Sequence, residues 1–147
     1  MKLFSFDRSD YFKLFKWKVI NHAKKFGLHE YNLIVCMAEN PDDEDSSTAA
    51  RCCSNYDSFT ANIILYPGEE KFWAETKEEA EEKLIETMKF YALHEVAHLL
   101  ADELYYYTQN KSTFDDVNRA CERHANRIAN YIMEDSKRIK LCQQDKI

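Results

Sequence analysis

The sequence predicts a single α+β domain spanning residues 1–147, with an N-terminal helix, a small sheet and two later helices. A chain of 147 residues has room for one domain of ordinary size, and its 45% hydrophobic content is enough to bury a core. Only two glycines and two prolines are present, whereas a β-sandwich or propeller needs turn residues at short, regular intervals. The scarcity of turn residues favours a largely helical fold.

The first predicted helix covers Ser9–Phe26, where apolar residues recur at three- and four-residue spacing before the stop signal Gly27. Three segments follow that are expected to be extended, and the first and third are rich in β-branched and aromatic residues. These segments are Tyr31–Ala38, Ala50–Asn55 and Phe59–Tyr66. We expect them to form a small three-stranded, mostly antiparallel sheet.

A long helix is predicted to begin at Thr76, because Thr76 and Glu79 have the spacing of a capping box. From Met88 to Leu100 this helix is apolar nearly all round, as expected for a helix inserted into the core. After a polar break, the returning helical pattern predicts a last helix over Phe114–Arg138.

Charge and cysteine content exclude several classes of function. Twenty Lys and Arg against 26 Asp and Glu give a net charge of -6, the wrong sign for a protein that neutralises nucleic-acid phosphates. Charged residues interrupt Met1–Ile20, so this stretch is neither a signal peptide nor a membrane helix, and we expect no membrane partner. The five cysteines are odd in number and lack a CxxC pair, which predicts reduced thiols in a cytoplasmic protein.

The predicted core helix contains an HExxH motif, HEVAH, at residues 94–98. Residues four apart lie only about 40° apart around an α-helix, so the imidazoles of His94 and His98 can reach one metal ion. Glu95 lies beside that pair, where its carboxylate can accept a proton from a water molecule activated by the metal. The alternative is a pair of hydrogen-bonded core histidines, which would be costly to bury on so apolar a helix if they lacked partners.

A catalytic zinc site usually takes three protein ligands, so a third ligand is needed. Glu122 and His124 on the last predicted helix are the candidates, and they lie roughly 200° apart around it, so only one can face the metal. Glu122 lies beside the apolar stripe, on a flank where Ala125 permits close helix approach, whereas His124 falls toward the polar side. We expect Glu122 to complete a site for one Zn²⁺ per chain with the two motif histidines.

Asn126 follows Glu122 by four residues and is expected to face the same helix. Its amide oxygen can accept a hydrogen bond from the outer ring N–H of a metal-bound histidine and so fix the tautomer of that histidine. The donor that stabilises a transition state is not identified by the sequence. Candidates for it are Tyr131, His124, Arg127 and the cluster Tyr105–Tyr107.

HEVAH followed by ERHAN at residues 122–126 resembles the gluzincin metallopeptidases, in which a glutamate ligand follows HExxH on a later helix. The resemblance covers roughly residues 31–133 and extends to the compact minigluzincins and the ImmA/IrrE-type peptidases. It implies a zincin-like fold and a peptide substrate that pairs with the outer strand of the sheet, expected at Phe59–Tyr66. Metzincins are excluded, because Ala101 and Leu104 stand where that class has Gly and His.

We therefore expect a zinc-dependent metallopeptidase that hydrolyses a peptide or protein substrate, with Glu95 as the general base. The alternative is a zinc-binding module, catalytically inactive or latent, that interacts with a regulatory protein. In a latent form, the segment after Met133 is the candidate to cover the cleft. The sequence predicts neither the substrate nor the oligomeric state.

Overall fold

A computed structural model describes residues 1–28, 31–40, 48–55, 58–100 and 114–144, with side chains described throughout these ranges except at 114–118 and 135–144. The described residues form three α-helices and two small sheets, so the α+β class is confirmed. In chain order the elements are β1 (Lys2–Asp7), a 3-10 turn (Arg8–Tyr11), α1 (Phe12–Lys25), β2 (Asn32–Met37), β3 (Ala50–Asn55), β4 (Thr60–Leu65), β5 (Glu69–Ala74), α2 (Lys77–Leu100) and α3 (Phe114–Gln144).

The three predicted strands form one sheet in the order β2-β4-β3. Strand β4 is antiparallel to β3 but parallel to β2, so the prediction of a mostly antiparallel sheet was wrong for one of the two pairings. The physical reason is the connection over residues 38–49, which is longer than a hairpin turn and lets β3 pair on the far side of β4. The strand expected at the edge, Phe59–Tyr66, is therefore the central one, and β2 and β3 are the edges among the described strands.

A second sheet, which the sequence analysis did not predict, pairs β1 with β5 in antiparallel register from Lys2–Ala74 to Asp7–Glu69. Phe6 on β1 is buried and Phe4 packs against the core, whereas Leu3 and its cross-strand partner Trp73 are exposed. The period-two alternation of β1 is thus that of a strand with one face covered.

The main core lies where α1 and α2 pack on each other and on the inner face of the three-stranded sheet. Side chains with no exposed surface come from all three elements, and they include Phe15, Val19, Ile63, Leu65, Leu84 and Met88. This packing fixes the position of α2, the helix that carries the HExxH motif.

The predicted C-terminal end of α1 and the predicted start of α2 are confirmed, whereas the predicted start of α1 at Ser9 lies in the 3-10 turn and the α-helix begins at Phe12. Gly27 has a φ of +74°, and the N–H groups of Gly27 and Leu28 bond to the carbonyls of Lys24 and Ala23, which is the pattern of a Schellman motif. At the start of α2, the Glu79 N–H donates to Thr76 Oγ1 over 3.2 Å, while the Glu79 carboxylate accepts from the Glu75 N–H rather than from that of Thr76.

Among the described residues, no helix combines the length and the apolar character needed to cross a bilayer.

His22 is a half-buried histidine on α1, and its Nδ1 has no hydrogen-bond partner among the described residues. Burial lowers the pKa of His22 from 6.5 to about 4, and the charges of Lys18 and Lys25 act in the same direction. The folded protein therefore holds His22 neutral at a pH where the unfolded chain protonates it.

We expect His22 to reduce stability as the pH falls from 6.5 to 4, with no further loss from this group at lower pH. Because the imidazole is only partly buried, we expect a loss of about 1–2 kcal/mol, less than the full shift would give. Urea unfolding of the metal-free protein near pH 7 and near pH 4 measures the loss. Wild type should lose more stability than His22→Gln, and equal losses in the two proteins would contradict the assignment.

Candidate metal site

The HExxH motif lies in the most buried part of α2, where residues 92–99 are buried apart from His94, which is partly exposed. Glu95 is 4% exposed and His98 is 8% exposed. Charged and polar groups of this kind are rarely buried unless they are paired or bind a metal. The insertion of this helix into the core agrees with the sequence-based expectation.

The two motif histidines point their Nε2 atoms at one location. His94 Nε2 and His98 Nε2 are 3.2 Å apart, and the ring centroids are separated by 4.9 Å. The spacing of one helical turn therefore brings both imidazoles to the same site, as the sequence predicts.

Glu122 on α3 completes this convergence. Its carboxylate contacts both rings, with Oε2 2.9 Å from His94 Nε2 and Oε1 3.2 Å from His98 Nε2. The residues that let α3 approach α2 are small, because Cys121, Ala125 and Ala129 are all buried on that face. The choice of Glu122 from the flank of the apolar stripe thus agrees with its position in the structure.

Two carboxylates lie close enough to the histidines to be considered as metal ligands. One ligand atom from each of His94, Glu95 and His98 lies within 4.8 Å of the others, so these three could hold an ion. Glu95 Oε1, however, is 3.9 Å from His94 Nε2, a full ångström farther than Glu122 Oε2. The shorter contacts favour Glu122 over Glu95 as the third candidate ligand.

The contacts with the histidines also determine the charge state of Glu122. Hydrogen bonds from His94 and His98 hold the pKa of the Glu122 carboxyl well below its usual range, although partial burial acts in the opposite direction. The carboxylate is therefore ionised under all ordinary conditions. An ionised oxygen beside two imidazole nitrogens is a donor set that suits a divalent transition metal.

The converging side chains open into a cleft of about 250 Å³. One wall is formed by Thr48, Ala49 and Ala50, which lead into the edge strand β3. The other wall of the cleft is formed by Phe90 and Tyr91 on α2, about one turn before His94. The sequence analysis missed these lining residues, although the spacing of Tyr91 to His94 and Glu95 would have placed all three on one helix face.

The remaining sequence-predicted residues fall in different places. Asn126 is exposed and lines the cleft. Among the described residues His94 Nδ1 has no hydrogen-bond partner, so of the two motif histidines His94 does not make the expected bond to Asn126. His124 and Arg127 are not among the residues that line the cleft. Tyr131 is 69% exposed and lies about 180° around α3 from Glu122. Tyr105–Tyr107 lie outside the described residues.

The segment after Met133 belongs to α3, which continues as helix to Gln144. Gln144 follows Asn126 by 18 residues, which corresponds to about 27 Å along a helix axis. The segment therefore extends along α3 instead of folding back over the cleft, contrary to its expected role as a cover in a latent form.

Comparison of the chain with protein-family models, with curated proteins and with solved structures found no match. The functional interpretation therefore depends on the HExxH motif and on the geometry around it.

Proposed function

We propose that this protein is a zinc-dependent metallopeptidase of the gluzincin type. The observation that carries the proposal is the convergence of His94 Nε2, His98 Nε2 and the Glu122 carboxylate beside the buried Glu95. Three ligands and an adjacent carboxylate are the requirements of zinc-assisted hydrolysis.

The separations between the donor atoms support zinc as the metal. Bonds of about 2.0–2.1 Å in a tetrahedron separate neighbouring ligand atoms by about 3.3 Å. The distances here are 2.9 Å from His94 to Glu122, 3.2 Å from His98 to Glu122, and 3.2 Å between the imidazoles. Small adjustments of side chains would accommodate the ion, and the fourth position would stay open for water or substrate.

Each side chain has a defined role in the proposed reaction. His94, His98 and Glu122 would hold the zinc, which when bound lowers the pKa of water and polarises a peptide carbonyl. Glu95 would accept the proton of the attacking water and then pass it to the leaving amine. Its position favours this role, because the carboxylate is 4% exposed and lies 3.9 Å from His94 Nε2, beside the proposed ligands.

Strand β3 is the best-supported platform for the substrate. It is an edge strand among those described, and its first residue, Ala50, lines the cleft. An extended peptide that adds to this edge would run past the site with its backbone groups paired. This assignment replaces the expectation that Phe59–Tyr66 would receive the substrate.

The test measures metal and hydrolysis in the same preparation. We expect mass spectrometry to find about one zinc per chain, in line with the three-ligand set. Zinc-loaded protein should cleave peptides in a mixed peptide library, and activity should vanish with a chelator and return with zinc. Failure to bind zinc after its addition would overturn the proposal. Zinc binding without cleavage of any peptide would favour the alternative, a zinc-binding interaction module.

A further inference from the structure

The two walls of the cleft are connected by hydrogen bonds through residues that do not line it. On the strand side, the Ala49 carbonyl accepts from the Tyr66 N–H over 2.9 Å. On the helix side, the Tyr91 hydroxyl donates to Glu70 Oε1 over 2.8 Å. Ala49 and Tyr91 both line the cleft, whereas Tyr66 and Glu70 do not.

Arg8 joins these two ends. Its Nη1 donates to the Tyr66 carbonyl over 3.1 Å, and its Nε donates to the same Glu70 oxygen over 2.9 Å. The residue is 8% exposed, so its guanidinium is removed from water and depends on these partners. A continuous path therefore runs from Ala49 through Tyr66, Arg8 and Glu70 to Tyr91.

The local structure is shaped to hold the guanidinium in this position. The Arg8 N–H donates to the Gly68 carbonyl over 2.9 Å, and a Cβ atom at Gly68 would lie 2.7 Å from Arg8 Nη1. On the other side, Asp7 caps the 3-10 turn by accepting from the N–H and hydroxyl of Ser9. Glycine at 68 thus leaves the space that the guanidinium occupies.

We propose that Arg8 is a positioning residue that sets the distance between the Ala49 and Tyr91 walls and so determines how tightly the cleft holds a substrate side chain. This inference rests on the proposed function, because it gives the cleft the task of binding a peptide. Arg8 acts only through its neighbours and touches neither the histidines nor Glu122 in any contact seen among the described residues.

Two zinc-binding probes distinguish an effect on the cleft walls from an effect on the metal site. Acetohydroxamate binds a zinc ion but is too small to reach the walls, whereas an N-acyl leucyl hydroxamate binds the same ion and places a side chain between them. Arg8→Lys keeps the charge but loses the planar guanidinium, which donates both to Glu70 and to the Tyr66 carbonyl. Tyr91→Phe keeps the ring and removes only the last bond of the path. Tyr131→Phe, at an exposed site outside the cleft, is the matched control.

Calorimetry on the zinc-loaded proteins should show acetohydroxamate affinity unchanged in every variant. The leucyl hydroxamate should bind about tenfold more weakly to Arg8→Lys than to wild type, since small displacements weaken fitted contacts steeply. Its affinity should fall by a smaller factor in Tyr91→Phe and should not change in Tyr131→Phe. Unchanged leucyl hydroxamate affinity in both Arg8→Lys and Tyr91→Phe would overturn the inference. So would a parallel loss for both probes, which would mean a general disturbance of the site. A wild-type protein that binds neither zinc nor acetohydroxamate would instead overturn the proposed function, and this inference would fall with it.

Discussion

Glu95→Gln is expected to bind zinc as the wild type does and to lose hydrolytic activity by about 10²- to 10⁴-fold, the usual contribution of a general base. The amide has nearly the same shape as the carboxylate, so it fits a site where Glu95 is 4% exposed, but it cannot accept a proton. Glu95 Oε1 lies 3.9 Å from His94 Nε2, outside the ligand contacts, which is why the metal should remain. Zinc content and initial rates on a cleaved peptide measure the two effects separately.

The matched control for this substitution is Glu134→Gln, an exposed glutamate on α3 that is not among the residues lining the cleft. It changes the net charge by the same amount and should leave the rate within about twofold of wild type, as for most exposed substitutions. Turnover retained by Glu95→Gln would remove Glu95 from the mechanism. Zinc lost by Glu95→Gln would show instead that Glu95 is a ligand.

The two histidines of the candidate site could be predicted from the sequence because their spacing is local. His94 and His98 converge because four residues make about one helical turn, a relation that tertiary packing does not alter. Glu122 lies on the small-residue flank of an amphipathic helix, and the buried Ala125 and Ala129 mark that same flank. The helix that Glu122 faces, α2, is identified by its HExxH motif alone.

The parts that the sequence did not predict depend on contacts between distant residues. The parallel pairing of β2 with β4 follows from a long connection, and no local pattern indicates which side of β4 a strand will take. Strands β1 and β5 are separated by more than sixty residues, and no local pattern indicates that these two segments pair. Arg8 and Glu70 have the same separation, so their ion pair carries no signature in sequence.

Glu122→Ala should weaken zinc binding by at least about 100-fold, since even residues that only support a ligand cost 10- to 100-fold when removed. Two imidazoles would remain, which is fewer than a catalytic zinc site normally uses. The matched variant is His124→Ala, because His124 is the alternative third ligand and lies two residues away on another face of α3. Metal content by mass spectrometry, with affinities from competition against a chelator, distinguishes the two.

The loss of zinc from Glu122→Ala should come without loss of the fold. Glu122 has a side chain that is 50% exposed, and the core residues around it on α3 are unchanged, so the metal-free variant should still fold, with a loss of about 1–3 kcal/mol from the missing hydrogen bonds to His94 and His98. Urea unfolding in the presence of a chelator measures this. If His124→Ala lost the metal and Glu122→Ala kept it, the ligand assignment would be wrong, and α3 would have to present a different face to α2 in the zinc-bound protein.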